Sequence, residues 1–386
     1  MQLVIHEMKL RNSSLGKAAV KPADADVRST QTEMCVGDWV EVRSKDEILS
    51  TLDQNGQLDG MPFMPEMFAF VGKRFRVYKR AHKTCDTVND YKGRKLKDAV
   101  HIAETRCDGG GHGGCEAGCL IFWKTAWLRR VSDADGRERL AEGRPEGIKD
   151  STRKICSEAD VVSAAVRPGG AGASGPAYVC QATQLPAFTE PLPPFELRQY
   201  VEDYRSGNAR LGRIMASFLY MGYHHGLVNL GVGWGPSLRW LYDMFQKLRG
   251  GTPYPRVDGK LPAGGRTPAV ASNLQPGDLV RVKSRDEILA TCDTGMANRG
   301  MKFDAEMVPY CGGVYRVLKR VNKIVNERTG AMLEMKTPSI ILDSVVCQAK
   351  YSECRLFCPR SVYSYWREIW LEKVESPAVE GRTRER

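Results

Sequence analysis

The sequence predicts an α+β protein of two duplicated small β-barrel or roll modules, SH3-like in outline, each with a cysteine-rich metal site. A linker and a helical insert join them. Residues 37–72 align without a gap to 277–312 at a constant offset of 240, with 17 of the 36 pairs identical. A cysteine pattern then recurs: Cys107, Cys115, Cys119, Trp123, Trp127 and Leu128 in the first copy, and Cys347, Cys354, Cys358, Trp366, Trp370 and Leu371 in the second. Between the copies the chain is first rich in Pro, Gly, Ala and Ser and then helical in its spacing.

The organisation in order is a polar leader (1–33), module 1 (34–131), a linker (132–193), a helical insert (194–250), a second linker (251–273), module 2 (274–374) and a charged tail (375–386). Glu7, Asp24 and Asp26 interrupt the leader, which carries no apolar core of signal-peptide length. A cytoplasmic location follows as the expectation, and there twelve cysteines read as metal ligands or reactive thiols before disulfides. At 386 residues, 42% hydrophobic and 27% charged, the chain has material for a sizeable core. Its net charge of +11 favours an anionic partner: nucleic acid, an acidic lipid surface or an acidic protein.

Each module opens on Gly-Asp-x-Val-x-Val, an alternation that places Val40, Val42, Val280 and Val282 on the buried face of a strand. Ser44 with Glu47, and Ser284 with Glu287, form the serine-to-glutamate spacing of a capping box, so a short helix follows. After a turn at Gly60 or Gly300 comes Met-x-Phe-x-x-Glu-Met, then a basic strand ending in Lys79-Arg80 or Lys319-Arg320, then an apolar strand leading to the first cysteine. Short strands, one helix and tight turns point to a barrel or roll.

In the linker, Cys156 and Cys180 have no partner at useful spacing. The insert has a helical pattern from Phe195 to Arg249. Its uncharged run 214–238 is long enough to cross a bilayer, but His224, His225 and several glycines argue for a buried or partner-facing hairpin, with contact to a membrane surface as the alternative.

Thiolates at i and i+4, as in Cys115 with Cys119 and Cys354 with Cys358, share one face of a helical turn, and Cys107 or Cys347 would supply a third ligand from the preceding strand. The best fourth ligand in module 2 is Cys311, with Cys292 behind it. In module 1 the aligned residue is Val71, so His112, within the GGGHGG run, or Cys85 must serve. Thiolate and imidazole donors in this number suit zinc, and an iron-sulfur cluster is the alternative. The bland reading is that the cysteines are buried core thiols.

Trp123, Trp127, Trp366 and Trp370, near Lys124, Arg129, Arg130 and Arg367, would suit stacking on nucleic acid, although tryptophans that close a small barrel are more often its core. The recurring acids Asp53 and Asp293, and Glu66 and Glu306, raise catalysis, yet no phosphate loop, nucleophile elbow or His-Glu-x-x-His accompanies them.

The strings MPFMPEM, KRAHKTCDT, HGGCEAGCLIFWKTAWL, GGTPYPR and SECRLFCPRSVYSYWREIWLE resemble those of a bacterial family of duplicated cysteine-rich proteins. The resemblance covers most of the chain outside the leader and first linker. It implies the two-module architecture and no particular activity. Where that family often carries Tyr-Cys-Gly, this chain has Phe70-Val71-Gly72. The expected function is a metal-binding, zinc-containing two-module binding or scaffold protein. The alternatives are a metalloenzyme or iron-sulfur redox accessory in a biosynthetic pathway, and a nucleic-acid-binding protein.

Overall fold

The computed structural model describes residues 33–88, 92–131, 156–169, 175–229, 233–353 and 355–374. The chain divides into two units, Met1–Glu33 and Met34–Arg386, and among the described residues every helix and strand belongs to the second. Helices and several small antiparallel sheets make it α+β. The leader, most of the charged part of the first linker and the tail lie outside the described residues.

Two five-stranded antiparallel sheets dominate. The first has the spatial order Trp123–Lys124, Ala99–Ile102, Arg74–Arg80, Trp39–Val42, Leu128–Arg130. The second runs Tyr363–Trp366, Met332–Val346, Val314–Val325, Leu279–Val282, Leu371–Lys373. Their registers match: Val40 faces Phe75 where Val280 faces Tyr315, and Val42 faces Leu128 where Val282 faces Leu371. A bulge after Val77 in the one has its counterpart after Val317 in the other. The four valines of the alternating pattern are fully buried.

Helices α1 (Lys45–Thr51) and α6 (Arg285–Leu289) both begin at the expected capping boxes, with Ser44 and Ser284 accepting from the amides of Glu47 and Glu287. A 3₁₀ turn follows in each module, at Pro65–Phe70 and Ala305–Tyr310, and turns Glu66 and Glu306 inward. All four repeat tryptophans are 0% exposed. Phe63 packs edge-on against Trp127, Phe303 packs on Trp370, and the indole N–H groups of Trp127 and Trp370 donate to Thr51 and Thr291. They are core, and none can stack on a base.

The first linker behaves otherwise than its composition predicts. Helix α2 (Glu158–Ala164) ion-pairs to module 1 through Glu158 and Lys45, and Val161 and Cys156 join that module's core. Gln181 exchanges hydrogen bonds with both the amide and the carbonyl of Phe122 and donates to Pro62. Buried apolar residues interspersed among the glycines and prolines suffice to dock these pieces.

The insert is helical as expected: α3 (Arg198–Arg205), α4 (Leu211–Tyr223), a π turn at His224–Val228, and α5 (Gly235–Arg249). The π turn interrupts the uncharged run, and among the described residues no helix is long and apolar enough to cross a membrane. Lys83 and Asp203, both buried, pair at 2.5 Å and tie α3 to module 1. Ile214 of α4 packs with Leu356 and Phe357 of module 2. The insert therefore contacts both modules.

Candidate metal centres

In module 1 three of the cysteines, Cys107, Cys115 and Cys119, lie on loop 107–119, between the strands Ala99–Ile102 and Trp123–Lys124. The Cys107 amide donates to the Cys119 carbonyl at 2.9 Å, and Arg106 bridges Leu120. This closure brings the loop's two ends together. Inside it, Gly109 at φ +80° lies so close to Cys115 that a Cβ would stand 2.0 Å from the Cys115 carbonyl oxygen, and a Cβ on Gly113 would stand 2.2 Å from the Tyr178 hydroxyl. The glycine run is what lets the loop fold this tightly.

Cys107, Cys115, Cys119 and Cys180 line one cavity of about 40 Å³, together with His112, Val325, Glu327 and Arg360. That is room for an ion or a water, far below the ~300 Å³ and more of sites for organic ligands. Burial, with Glu66 and Cys119 nearby, pushes the Cys107 thiol far above its ordinary range; burial pushes Cys119 up to about 12 despite Arg360, and raises Cys180.

His112 is almost fully buried, and both ring nitrogens are engaged: Nδ1 with Glu66 Oε1 at 2.6 Å and Nε2 with the Val179 carbonyl at 3.1 Å. A carbonyl only accepts, so Nε2 carries a hydrogen. Glu66 Oε1 also accepts from the Gly111 amide at 3.0 Å and meets Cys107 Sγ at 3.6 Å. Burial raises the Glu66 carboxyl, but the hydrogen bond and charge of His112 outweigh it and hold the group below its usual range. In this arrangement His112 presents no lone pair to the thiols; it pins the glycine loop to Glu66 and to the Cys180 segment.

In module 2 the matching loop, 347–358, is closed by Cys347 N–H to Val362 O at 2.8 Å and Phe357 N–H to Ala349 O at 2.8 Å. Cys354 lies outside the described residues. Cys347, Cys358 and Ala349 pack with Cys85, which comes from module 1, at the end of the strand Lys83–Cys85. Cys85 accepts a hydrogen bond from the Cys358 thiol and lies near Arg360 and Arg355, so its own thiol is held well below the ordinary range and that of Cys358 well above it. Arg360 donates to the Cys85 carbonyl and to Thr87 and pairs with Glu327 at 3.0 Å, while also lining the first cavity. A fully buried guanidinium thus stands between two groups of thiols.

Of the fourth ligands expected, Cys311 packs instead in the second core beside Tyr315, with Arg285 and Asp286 nearby, and Cys292 is buried in that core too. The aligned Val71 packs on the first core. This position packs against the core in both modules. Cys85 is brought to the module 2 thiols, and Cys180, passed over for lack of local spacing, to those of module 1. Only the inward-turned Glu residues, recurring at the same offset, could have flagged the loop anchors.

No family model matches the chain, and no curated protein matches it. What it binds must be read from its own residues. Among those described, two groups bring three ligand atoms within 4.8 Å of one another: Glu66, Cys107 and His112, and His224, His225 and Glu353. In the first, the Glu66–His112 hydrogen bond occupies both partners. In the second, Glu353 already has the Arg256 guanidinium at 3.1 Å, which opposes a cation. No three of the described thiols in either cluster come that close together, so an ion would have to draw them in. None of the eleven described cysteines is in a disulfide.

Proposed function

We propose that the chain is a zinc-binding scaffold made of two duplicated SH3-like barrels, each with one thiolate metal site, joined by the insert. The observation that carries this reading is the convergence of free thiols from loop 107–119 on a cavity of about 40 Å³, with the corresponding loop of the second sheet gathering Cys347 and Cys358 in the same place. Thiolate-rich tetrahedral sites are typical of structural zinc.

Binding is favoured over catalysis by what the recurring acids do. Glu306 accepts from the amides of Lys350 and Tyr351 and from the Ser352 hydroxyl, and Glu66 from the Gly111 amide and His112. Both carboxylates anchor a cysteine loop, so neither is offered to a substrate. With a net charge of +11, the partner of such a scaffold would be anionic.

The test is elemental analysis with an absorption spectrum on anaerobically purified full-length protein, beside C119S and C358S. The reading expects about two zinc ions per chain and about one in each variant. Iron with sulfide and a broad visible band would replace it with the redox reading, and a folded protein without metal would end it.

A further inference from the structure

We infer that each metal site is completed from outside its own cysteine loop: Cys180 joins Cys107, Cys115 and Cys119 in the first, and Cys85 of module 1 joins Cys347 and Cys358 in the second, so that the second ion ties the two modules together. This rests on the metal-binding reading and adds to it the ligands and the linkage.

The geometry behind it is an exchange of hairpins. In module 1 the strand Lys83–Cys85 pairs with Gly93–Lys95; in module 2 residues 323–325 of the long strand Val314–Val325 pair with Met332 to Glu334. At the repeat offset of 240, Cys85 corresponds to Val325. Each of these tips sits at the cysteine loop of the other module. Cys85 packs on Cys347 and Cys358. Val325 lines the first cavity, and its amide donates to Cys115 Sγ at 3.3 Å. Loop 107–119 is bound along the same edge, with Glu116 accepting from the amides of Asn322 and Lys323 and Lys323 Nζ donating to the Gly113 carbonyl.

The hairpin position that brings a thiol from module 1 to the second site therefore brings a valine from module 2 to the first. A valine cannot ligate, and the fourth thiol there comes from Cys180 instead. That residue is rigidly placed: its amide donates to Thr183 Oγ1, the neighbouring Gln181 is locked to Phe122, and Val179 holds His112. Of the other donors lining the cavity, His112 has both nitrogens committed and Glu327 is held by Arg360 and Thr87. A zinc ion held by four thiolates carries a net charge of −2. The buried Arg360 stands against both thiol groups and supplies a compensating positive charge.

Metal content of the full-length protein, purified without oxygen and reconstituted with zinc alone, tests this. C180S and C85S should each fall from about two zinc ions per chain to about one, and C311S should keep about two. Replacement by cobalt should give intense thiolate-to-metal bands that halve in each of the first two variants. Because a lost thiol can also weaken folding, the deciding protein is C180S/V325C, which returns a thiol to the first cavity from the opposite hairpin: recovery of the second zinc supports the assignment. Two zinc ions retained by folded C180S or C85S, one lost from C311S instead, or no recovery in C180S/V325C would overturn it. Absence of metal from the unmodified protein would overturn the reading beneath it.

Discussion

Loops 107–119 and 347–358 hang from matching strands of two sheets with the same order, and each rests on an inward-turned glutamate from a 3₁₀ turn, yet the two carboxyls are shifted in opposite directions. Burial raises both. At Glu66 the hydrogen bond and charge of His112 prevail and lower it; at Glu306 the amides of Lys350 and Tyr351 and the Ser352 hydroxyl do not offset burial, and it stays raised. The same scaffold position thus anchors a glycine loop through an ionisable pair in one module and a side-chain-rich loop through neutral donors in the other. The repeat keeps the anchor and leaves its partner free to change.

On the proposed zinc reading, the largest effect that would break the likeness between the two loops comes from a chelator. If both sites are structural, a chelator should cost on the order of 10 kcal/mol per site and abolish cooperative unfolding of both modules, read by calorimetry with and without chelator. Loss of one module's transition alone would show that only one site matters for folding.

Next comes the anchor pair. H112A leaves the buried Glu66 carboxylate with the Gly111 amide as its remaining strong donor, and should cost about 3–5 kcal/mol in denaturant unfolding. S352A removes one hydroxyl from a carboxyl that keeps two amides, and should cost about 1 kcal/mol. Equal costs would mean that the two anchors work alike after all.

The residue two beyond the first cysteine sharpens the contrast in backbone terms. Gly109 and Ala349 both have positive φ, +80° and +49°. G109A meets the Cys115 carbonyl and should cost about 2–3 kcal/mol, whereas A349G relieves a left-handed alanine and should be close to neutral in thermal unfolding. Smallest of all, T51A and T291A each remove one indole partner at matched sites. About 1 kcal/mol is expected from both, and a large difference would show that the two cores are not equivalent.

Much of this was legible along the chain. The buried valines, the capping boxes of Ser44 and Ser284, the helical insert and the loops bearing Cys107 and Cys347 follow from rules that span two to four residues, and the structure has them where the pattern puts them. Composition misled in one place. Residues 175–193 look like linker, yet a few buried side chains such as Val179, Gln181 and Leu185 dock them on module 1.

By itself, then, the amino-acid order determined the repeat, the strands and caps of each module, and which loops carry thiols, because those features depend on neighbours close in the chain. The tertiary structure alone decided that Cys311 packs on the second core, that His112 holds Glu66 and Val179, and that Cys180 and Cys85 meet loops far from them in sequence. Convergence of side chains on a common cavity depends on how whole modules pack. Cys85 and Val325 occupy matching positions of their hairpins, and only the packing of one module on the other shows that the first reaches Cys347 and Cys358 and the second the cavity lined by Cys107, Cys115, Cys119 and Cys180.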